Sequence, residues 1–388
     1  MDIQTFPTLR SPLGQEAIRA AQALFPTEYA FLQHYQTLRR TYPPDLARVA
    51  LETAIYRAEA TNKFGERAAQ MYFTREAMEQ ATPDEVSVHH AQRFSGAHHI
   101  LDLGCSIGGD THHLAQYALT IGLDRDPLRL HLARANVPGA EFMLADLSSP
   151  LPFASAHHTA LFFDPARRNN GRRAFSIHHY TPPLDIVRTW LPHFPALGVK
   201  ISPGVKREEL AEYDAEVEFV SLSGDLKEAI LWFGPLKRGT WRATLLPTGD
   251  TLIGDPTLPA PIATEPGAYL YEPDAAVIRA GLVTTLAQQL DASLLDSTIA
   301  YLTSDTAHIT PFARRWQVEA WMPFHLKKLR AALRKRGVGR VTVKKRGSPL
   351  QPEQLIRDLR LKKGEEERIL VLTRVQGQHS VLICSPLL

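Results

Sequence analysis

The sequence predicts an α/β protein: a doubly wound, mostly parallel sheet with a helical region before it and a small α+β unit after it. Three observations predict this. Residues 1–95 place apolar side chains at helical spacing. From about 97 to 235, short apolar runs alternate with helical segments, the pattern of parallel strands joined by crossover helices. From 321 onward the order is helix, strand, helix and then two strands about a short turn. A chain of 388 residues is too long for one ordinary core. Four segments are expected: 1–95 helical, 96–236 the sheet domain, 237–320 a connecting α+β segment and 321–388 the small terminal domain.

Each element has a local cause. "SPLGQEAIRAAQALF" opens with Ser11 at a helix N-cap and Pro12 at the first helical position. "DLARVALETAIYRAEATNKFG" repeats the helical period and stops at Gly65. The expected strands are "HHILDLGCS", "ALTIGLD", "AEFMLAD", "TALFFD" and "LGVKISP". "EVEFVSLSG" and "KEAILWFG" follow about a turn, an expected antiparallel edge pair. Residues 236–319 are richer in Pro and Gly; "GTWRATLLP" predicts a strand and "DAAVIRAGLVTTLAQQL" one helix. The terminal unit reads as helix "HLKKLRAALRKR", strand "GRVTVKK", helix "PEQLIRDLR", and strands "RILVLTRV" and "HSVLICS" around "QGQ".

A composition 44% hydrophobic and 22% charged is that of a globular protein in water. No leading signal and no long apolar run point to export or a membrane, so a cytoplasmic protein with no membrane partner is expected. Cys105 and Cys384 are the two cysteines, too few for a disulfide framework or a cysteine-based zinc site. The net charge of +3 hides an asymmetry. From Ala320 to Pro352 there is no acid, and Lys327, Lys328, Arg330, Arg334, Lys335, Arg336, Arg340, Lys344, Lys345 and Arg346 all fall in that window. Such a cluster points to a polyanion.

The richest stretch is "LDLGCSIGGD", residues 101–110, which leaves a strand and enters a helix through small residues. Small residues let the backbone approach a ligand, and the helix start presents free N–H groups. Serine in place of the second glycine rules out the dinucleotide fingerprint. Asp124 ends the next strand, where a carboxylate accepts ribose hydroxyls, and Asp146 ends the third, within reach of an adenine amine. The fourth strand ends in "ALFFDPARRNNGRR", with Asp164-Pro165 followed by Arg167, Arg168, Arg172 and Arg173.

The series "DLGCSIGGD", "GLDRDP", "LADL", "FFDPARR" resembles the class I S-adenosylmethionine-dependent methyltransferases, which implies a Rossmann-like core. The resemblance implies that Asp102, Gly104, Ser106 and Gly108 surround the methionine part of the cofactor, Asp124 the ribose and Asp146 the adenine. Ser106 departs from the glycine most members carry. In this fold the fourth strand's end faces the transferable methyl group, and amine methyltransferases carry Asn or Asp before Pro there. Asp164 and the Pro165 carbonyl would accept N–H bonds from a weakly nucleophilic exocyclic amine. Arg167 and Arg168 would meet phosphates. "TPDEVSVHHAQRF" together with these motifs is similar in order to the trimethylguanosine synthases, which implies Thr82, and Gln80 beside it, as cofactor contacts. The aromatic residue that stacks a methylated cap base in those enzymes is missing here, where Ala166-Arg167-Arg168 stands, so cap recognition is not expected. From about 45 to 388 the chain resembles bacterial methyltransferase-like proteins with a C-terminal THUMP-like domain, on "KFG", "MYFT", "EQAT", "DPARR", "KISPG", "SLSGDLKEAILWFG", "YLYEPDAAVIRAGLV", "YLTSD" and "VKKRG". THUMP domains bind RNA, so Lys344, Lys345 and Arg346 are expected on a structured RNA such as tRNA or rRNA.

Lys200, at the end of "VKIS", is expected to reach the same cleft from the next strand and to touch substrate. Five His-His pairs occur, but adjacent side chains point apart, so no metal site is expected. The reading is methyl transfer from S-adenosylmethionine to a nucleobase nitrogen in structured RNA, with the guanine exocyclic amine favoured. Two alternatives stand beside it. One is a methyltransferase for small molecules or proteins; the other is a non-catalytic RNA-binding or assembly protein that retains the cofactor fold.

Overall fold

Ser11 begins a helix as its sequence predicts: its hydroxyl accepts the Gly14 N–H, and Pro12 takes the first helical position. The computed structural model describes residues 1–153, 158–166, 168–169, 172–173, 176–362 and 364–385, with the backbone alone at 168, 169, 172 and 173. These fall into two units: Met1–Ala215 with Ala229–Arg238, and Glu216–Glu228 with Gly239–Leu388.

The first unit opens with helices α1 (Thr5–Arg10), α2 (Pro12–Gln22), α3 (Phe31–Leu38), α4 (Pro44–Phe64), α5 (Arg75–Gln80) and α6 (Asp84–Ala91). Gly65 ends α4 by turning to φ +53°. Leu9, Ile18, Leu51, Ile55, Phe64 and Phe73 lie in one buried cluster that also takes in Ile107 and Leu132 of the sheet domain. The helical region is therefore fixed to that domain by apolar burial.

Strands β1 (His99–Leu103), β2 (Leu119–Asp124), β3 (Glu141–Leu144), β4 (Thr159–Phe163) and β7 (Leu197–Ile201) are parallel, with β1 central. Helices α7 (Gly109–Leu114), α8 (Pro127–Asn136) and α9 (Val187–Trp190) lie between them in sequence. Two-residue strands β5 (Arg168–Asn169) and β6 (Arg172–Arg173) pair antiparallel just past β4. From Ala229, strand β9 (Asp225–Phe233) runs antiparallel to β7. The strand order reverses between β1 and β4, which makes the carboxyl ends of those strands the ligand crevice of a doubly wound sheet.

In the second unit, β8 (Glu216–Leu222) pairs in parallel with β10 (Trp241–Leu246), which pairs antiparallel with β11 (Asp250–Gly254). The expected edge pair is thus corrected: β8 is not an edge, because "WRATLL" lies against it. Buried Glu216 and Glu218 accept hydrogen bonds from Arg242 and Thr244 of that neighbour. A second correction concerns residues 274–290. They form two helices, α10 (Ala275–Ala280) and α11 (Val283–Gln289), because Gly281 takes a left-handed φ of +75° and ends the first.

The remaining strands make a seven-stranded sheet: β12 (Tyr269–Pro273), β13 (Ser293–Asp296), β14 (Ile299–Ser304), β15 (Ala313–Pro323), β16 (Val338–Lys345), β17 (Glu366–Val375) and β18 (Gln378–Ser385). Helices α12 (Leu326–Lys335) and α13 (Pro352–Leu359) place Leu329, Leu333, Leu355 and Leu359 against Leu370, Leu372 and Val381. On the other face Leu270, Tyr301, Trp316, Val371 and Leu382 pack together. The sheet curls far enough for its β13 edge to meet the turn between β17 and β18. Gln376 N–H bonds the Leu295 carbonyl at 2.8 Å, and Gly377 N–H bonds Asp296 at 2.8 Å. Among the described residues no helix is long and apolar enough to cross a membrane.

Candidate active site

The chain leaves β1 at Leu103, beside Phe163 of β4, and turns through 104–108 into α7. Gly104 has φ +86°, and the N–H groups of Gly104 and Cys105 both bond the Leu123 carbonyl of β2. Ser106 adopts φ +50°, a left-handed conformation that glycine takes at no cost, which gives a physical reason for the family's glycine there. Gly108, at φ +83°, stands just before α7. Asp124, at the end of β2, accepts the Ser106 and Asp126 N–H groups at 2.9 Å each, so it braces the turn as well as ending the strand. A Cβ on Gly104 would lie 2.5 Å from the Asp164 carbonyl oxygen. The turn and the end of β4 therefore touch through backbone alone.

Acids converge on this crevice. Asp102 is buried in β1 and accepts the Thr111 hydroxyl at 2.5 Å. Burial, then the neighbouring Asp110, pushes its carboxyl up to about 8. Asp110, which the sequence reading did not single out, stands in the first turn of α7. Burial opposes its ionisation, but the Lys200 ammonium and His90 outweigh that and hold it well below the usual carboxylate range. Its signal in the sequence was its place one residue into the helix after the small-residue turn.

Lys200 is buried at 2% exposure, not out on a substrate surface. Its Nζ lies 2.7 Å from Asp164 Oδ2, 2.6 Å from Thr82 Oγ1 and 3.3 Å from Asp110 Oδ2. Thr82 in turn donates to Asp110 at 2.9 Å. The segment before Thr82 is tied down by Lys63, whose ammonium donates to the carbonyls of Met78, Glu79 and Ala81. Gln80 is exposed and bonds Glu76 within α5. His90 Nδ1 lies 3.4 Å from Asp110. The structure thus brings together Thr82, Asp102, Gly104, Asp164 and Lys200, with Asp110 and His90 added. Pro165 is buried behind Asp164, and Ala166 exchanges backbone hydrogen bonds with Thr181.

Asp146 lies past β3, exposed, and accepts the Ser148 hydroxyl and N–H at 2.6 and 2.9 Å. Those bonds hold its carboxyl below the usual range. Arg167 lies outside the described residues, and of Arg168 only the backbone is described, in β5.

An acid-lined crevice at strand ends fits S-adenosylmethionine, whose sulfonium and ammonium are cationic. Asp102 and the 104–108 turn would hold its methionine part and Asp124 its ribose.

In the second unit, the basic window is not uniformly open. Lys344 Nζ lies 2.7 Å from Glu272 and 4.9 Å above the Trp316 ring. Arg346 lies over the Tyr301 ring, donates to the Ala300 carbonyl and stands 4.0 Å from Glu272. Lys345 is exposed and bonds Gln351. Arg336 and Arg340 meet Glu319 and Glu367. Lys327, Lys328, Arg334 and Lys335 are exposed on α12, and among the described residues none of them is in an ion pair. No group of three His, Cys, Asp or Glu suited to a metal occurs among the described residues.

The chain is similar to known proteins over most of its length. Residues 313–386 match the THUMP domain-like family, and residues 2–60 match a domain of unknown function. An uncharacterised S-adenosylmethionine-dependent methyltransferase of Mycobacterium tuberculosis is 34% identical over 348 residues, which cover 85% of this chain and 94% of that protein. The crystal structure of a presumed methyltransferase from Porphyromonas gingivalis W83 covers 95% of this chain and 98% of its own, with a TM-score of 0.78 at 21% identity, and so shares the fold. The doubly wound sheet, the acid-lined crevice at its strand ends and the full-length relative together make this chain a member of the S-adenosylmethionine-dependent methyltransferases, with a THUMP-like domain near its C-terminus.

Proposed function

We propose that the enzyme methylates a nucleobase nitrogen in structured RNA, with the guanine exocyclic amine as the favoured acceptor. The observation that carries this reading is Asp164, held at the end of β4 against the Gly104 turn. S-adenosylmethionine, when bound, supplies an electrophilic methyl group. An exocyclic amine delocalises its lone pair into the ring and is a poor nucleophile. The Asp164 carboxylate and the Pro165 carbonyl accept its N–H groups, orient the lone pair and stabilise the positive charge that develops on nitrogen. The exposed cations of α12 and Lys345 would hold RNA backbone, since phosphate contacts position without specifying sequence. THUMP-like identity of residues 313–386 supports RNA as the partner.

The test is single-turnover transfer of labelled methyl to total RNA from cells lacking the gene. Asp164→Ala is expected to leave cofactor affinity and most RNA affinity intact and to slow transfer by about 10²-fold or more. A folded variant with a normal rate would return Asp164-Pro165 to a structural role. Transfer to protein or small molecules in place of RNA would favour the other substrate classes. Cofactor binding with no transfer to any acceptor would favour the assembly-protein alternative.

A further inference from the structure

Lys200 stands one residue before the end of β7, and its ammonium is almost wholly removed from water. A buried ammonium is costly unless its donors are used. Here three oxygens surround it, from Asp164 past β4, Thr82 before α6 and Asp110 in α7. An ammonium has three donors and no acceptor, so one donor can be assigned to each oxygen. The three partners lie 36, 118 and 90 residues away in sequence. No local rule of helix or strand requires this meeting. The charged and titratable groups in direct reach of one another include Asp102, Asp110, Asp164, His90 and Lys200.

We propose that Lys200 is a positioning residue that acts on methyl transfer through Asp164. It pins one carboxylate oxygen of Asp164 to the Thr82–Asp110 side of the crevice and so fixes the plane in which the carboxylate meets the acceptor. A bond of 2.7 Å to a charged donor restrains that plane far more than a solvated carboxylate at a strand end would be restrained. This inference rests on the reading that Asp164 faces the methyl acceptor. It differs from that reading in assigning Lys200 no contact with RNA or cofactor.

The test is a double-mutant cycle in the full-length protein between Lys200→Met and Asp164→Asn, with Lys200→Arg as the conservative variant. Three quantities are read: single-turnover methyl transfer to RNA from cells lacking the gene, calorimetric S-adenosylmethionine affinity, and melting temperature. Lys200→Met is expected to slow transfer by about tenfold or more with cofactor affinity changed by less than about threefold. In the Asp164→Asn background the same change should cost little further rate, because the residue it acts through is already altered. Lys200→Arg should recover a large part of the rate, since a guanidinium also binds a carboxylate. Losses of rate that simply multiply in the double variant, or a normal rate for Lys200→Met, overturn the proposal. The melting temperature needs no RNA. Lys200→Met should lower it by roughly 5–10 °C alone and by clearly less when Asp164 is Asn. If wild type transfers no methyl to RNA, the substrate reading fails by itself, and additive melting shifts would still overturn the pairing of Lys200 with Asp164.

Discussion

Gly104 and Asp164, at the ends of neighbouring strands, approach so closely that a Cβ on Gly104 would lie 2.5 Å from the Asp164 carbonyl oxygen. That contact joins the turn proposed to hold the cofactor to the strand end proposed to meet the acceptor. Gly104 also has φ +86°. Gly104→Ala therefore carries both a backbone penalty and an overlap, expected to total about 2–4 kcal/mol of stability. Denaturant titration measures it, and cofactor affinity should fall in any fraction that remains folded.

Asp124→Ala is expected to weaken S-adenosylmethionine binding by about 1–3 kcal/mol through the loss of charge-assisted bonds to the ribose. The carboxylate also receives the Ser106 and Asp126 N–H groups, so part of the loss comes from a loosened turn. Calorimetry on the folded variant checks this; unchanged affinity would remove Asp124 from the ribose site.

Asp102 gives the unliganded protein a pH dependence. Its carboxyl holds a proton up to about 8 in the folded chain, against about 4 for an ordinary aspartate. Folding therefore takes up a proton between those values, and the contribution of Asp102 to stability falls as pH rises from about 4 to about 8. Asp102→Asn removes that loss. The difference in melting temperature between variant and wild type should widen in favour of the variant over this window and stay level above it. A difference independent of pH would contradict the buried, protonated carboxyl.

The basic residues of the second unit should separate into two classes. Neutralising Lys327, Lys328, Arg334 and Lys335 on α12 should flatten the salt dependence of RNA binding by roughly two to three units of slope, with stability unchanged. Lys344→Met should instead cost about 1–3 kcal/mol of stability, because Glu272 loses a close cationic partner. Binding measured across salt concentrations, paired with denaturant titrations, distinguishes the two.

Much of this was legible in the sequence because its causes are local. Ser11, Pro12 and Gly65 mark helix ends through hydrogen bonding and backbone freedom a few residues away. Asp102, Gly104, Asp124 and Asp164 were legible because strand ends in a doubly wound sheet share one edge. What escaped was set by long-range contact. Nothing in "VKISPG" says that Lys200 is enclosed by residues from three distant segments. Lys344 looked like a phosphate contact because its acid, Glu272, stands 72 residues away and meets it only through the curl of the sheet. The division of 275–289 at Gly281 escaped because apolar spacing continues across a residue whose backbone has turned left-handed.

That curl also separates what is inherited as a recognisable sequence from what folds. The THUMP-like match begins at residue 313, the first residue of β15. Yet β15 pairs along Tyr269–Pro273 of β12, and the acid that answers Lys344 and Arg346 sits in that same strand. A fragment trimmed to the match would turn an interior strand into an open edge, a template for pairing with other copies. It would also strand two cations over aromatic rings without their counter-ion. Anyone isolating this module to study RNA binding needs the chain from before Tyr269, more than half as much sequence again as the family resemblance would choose.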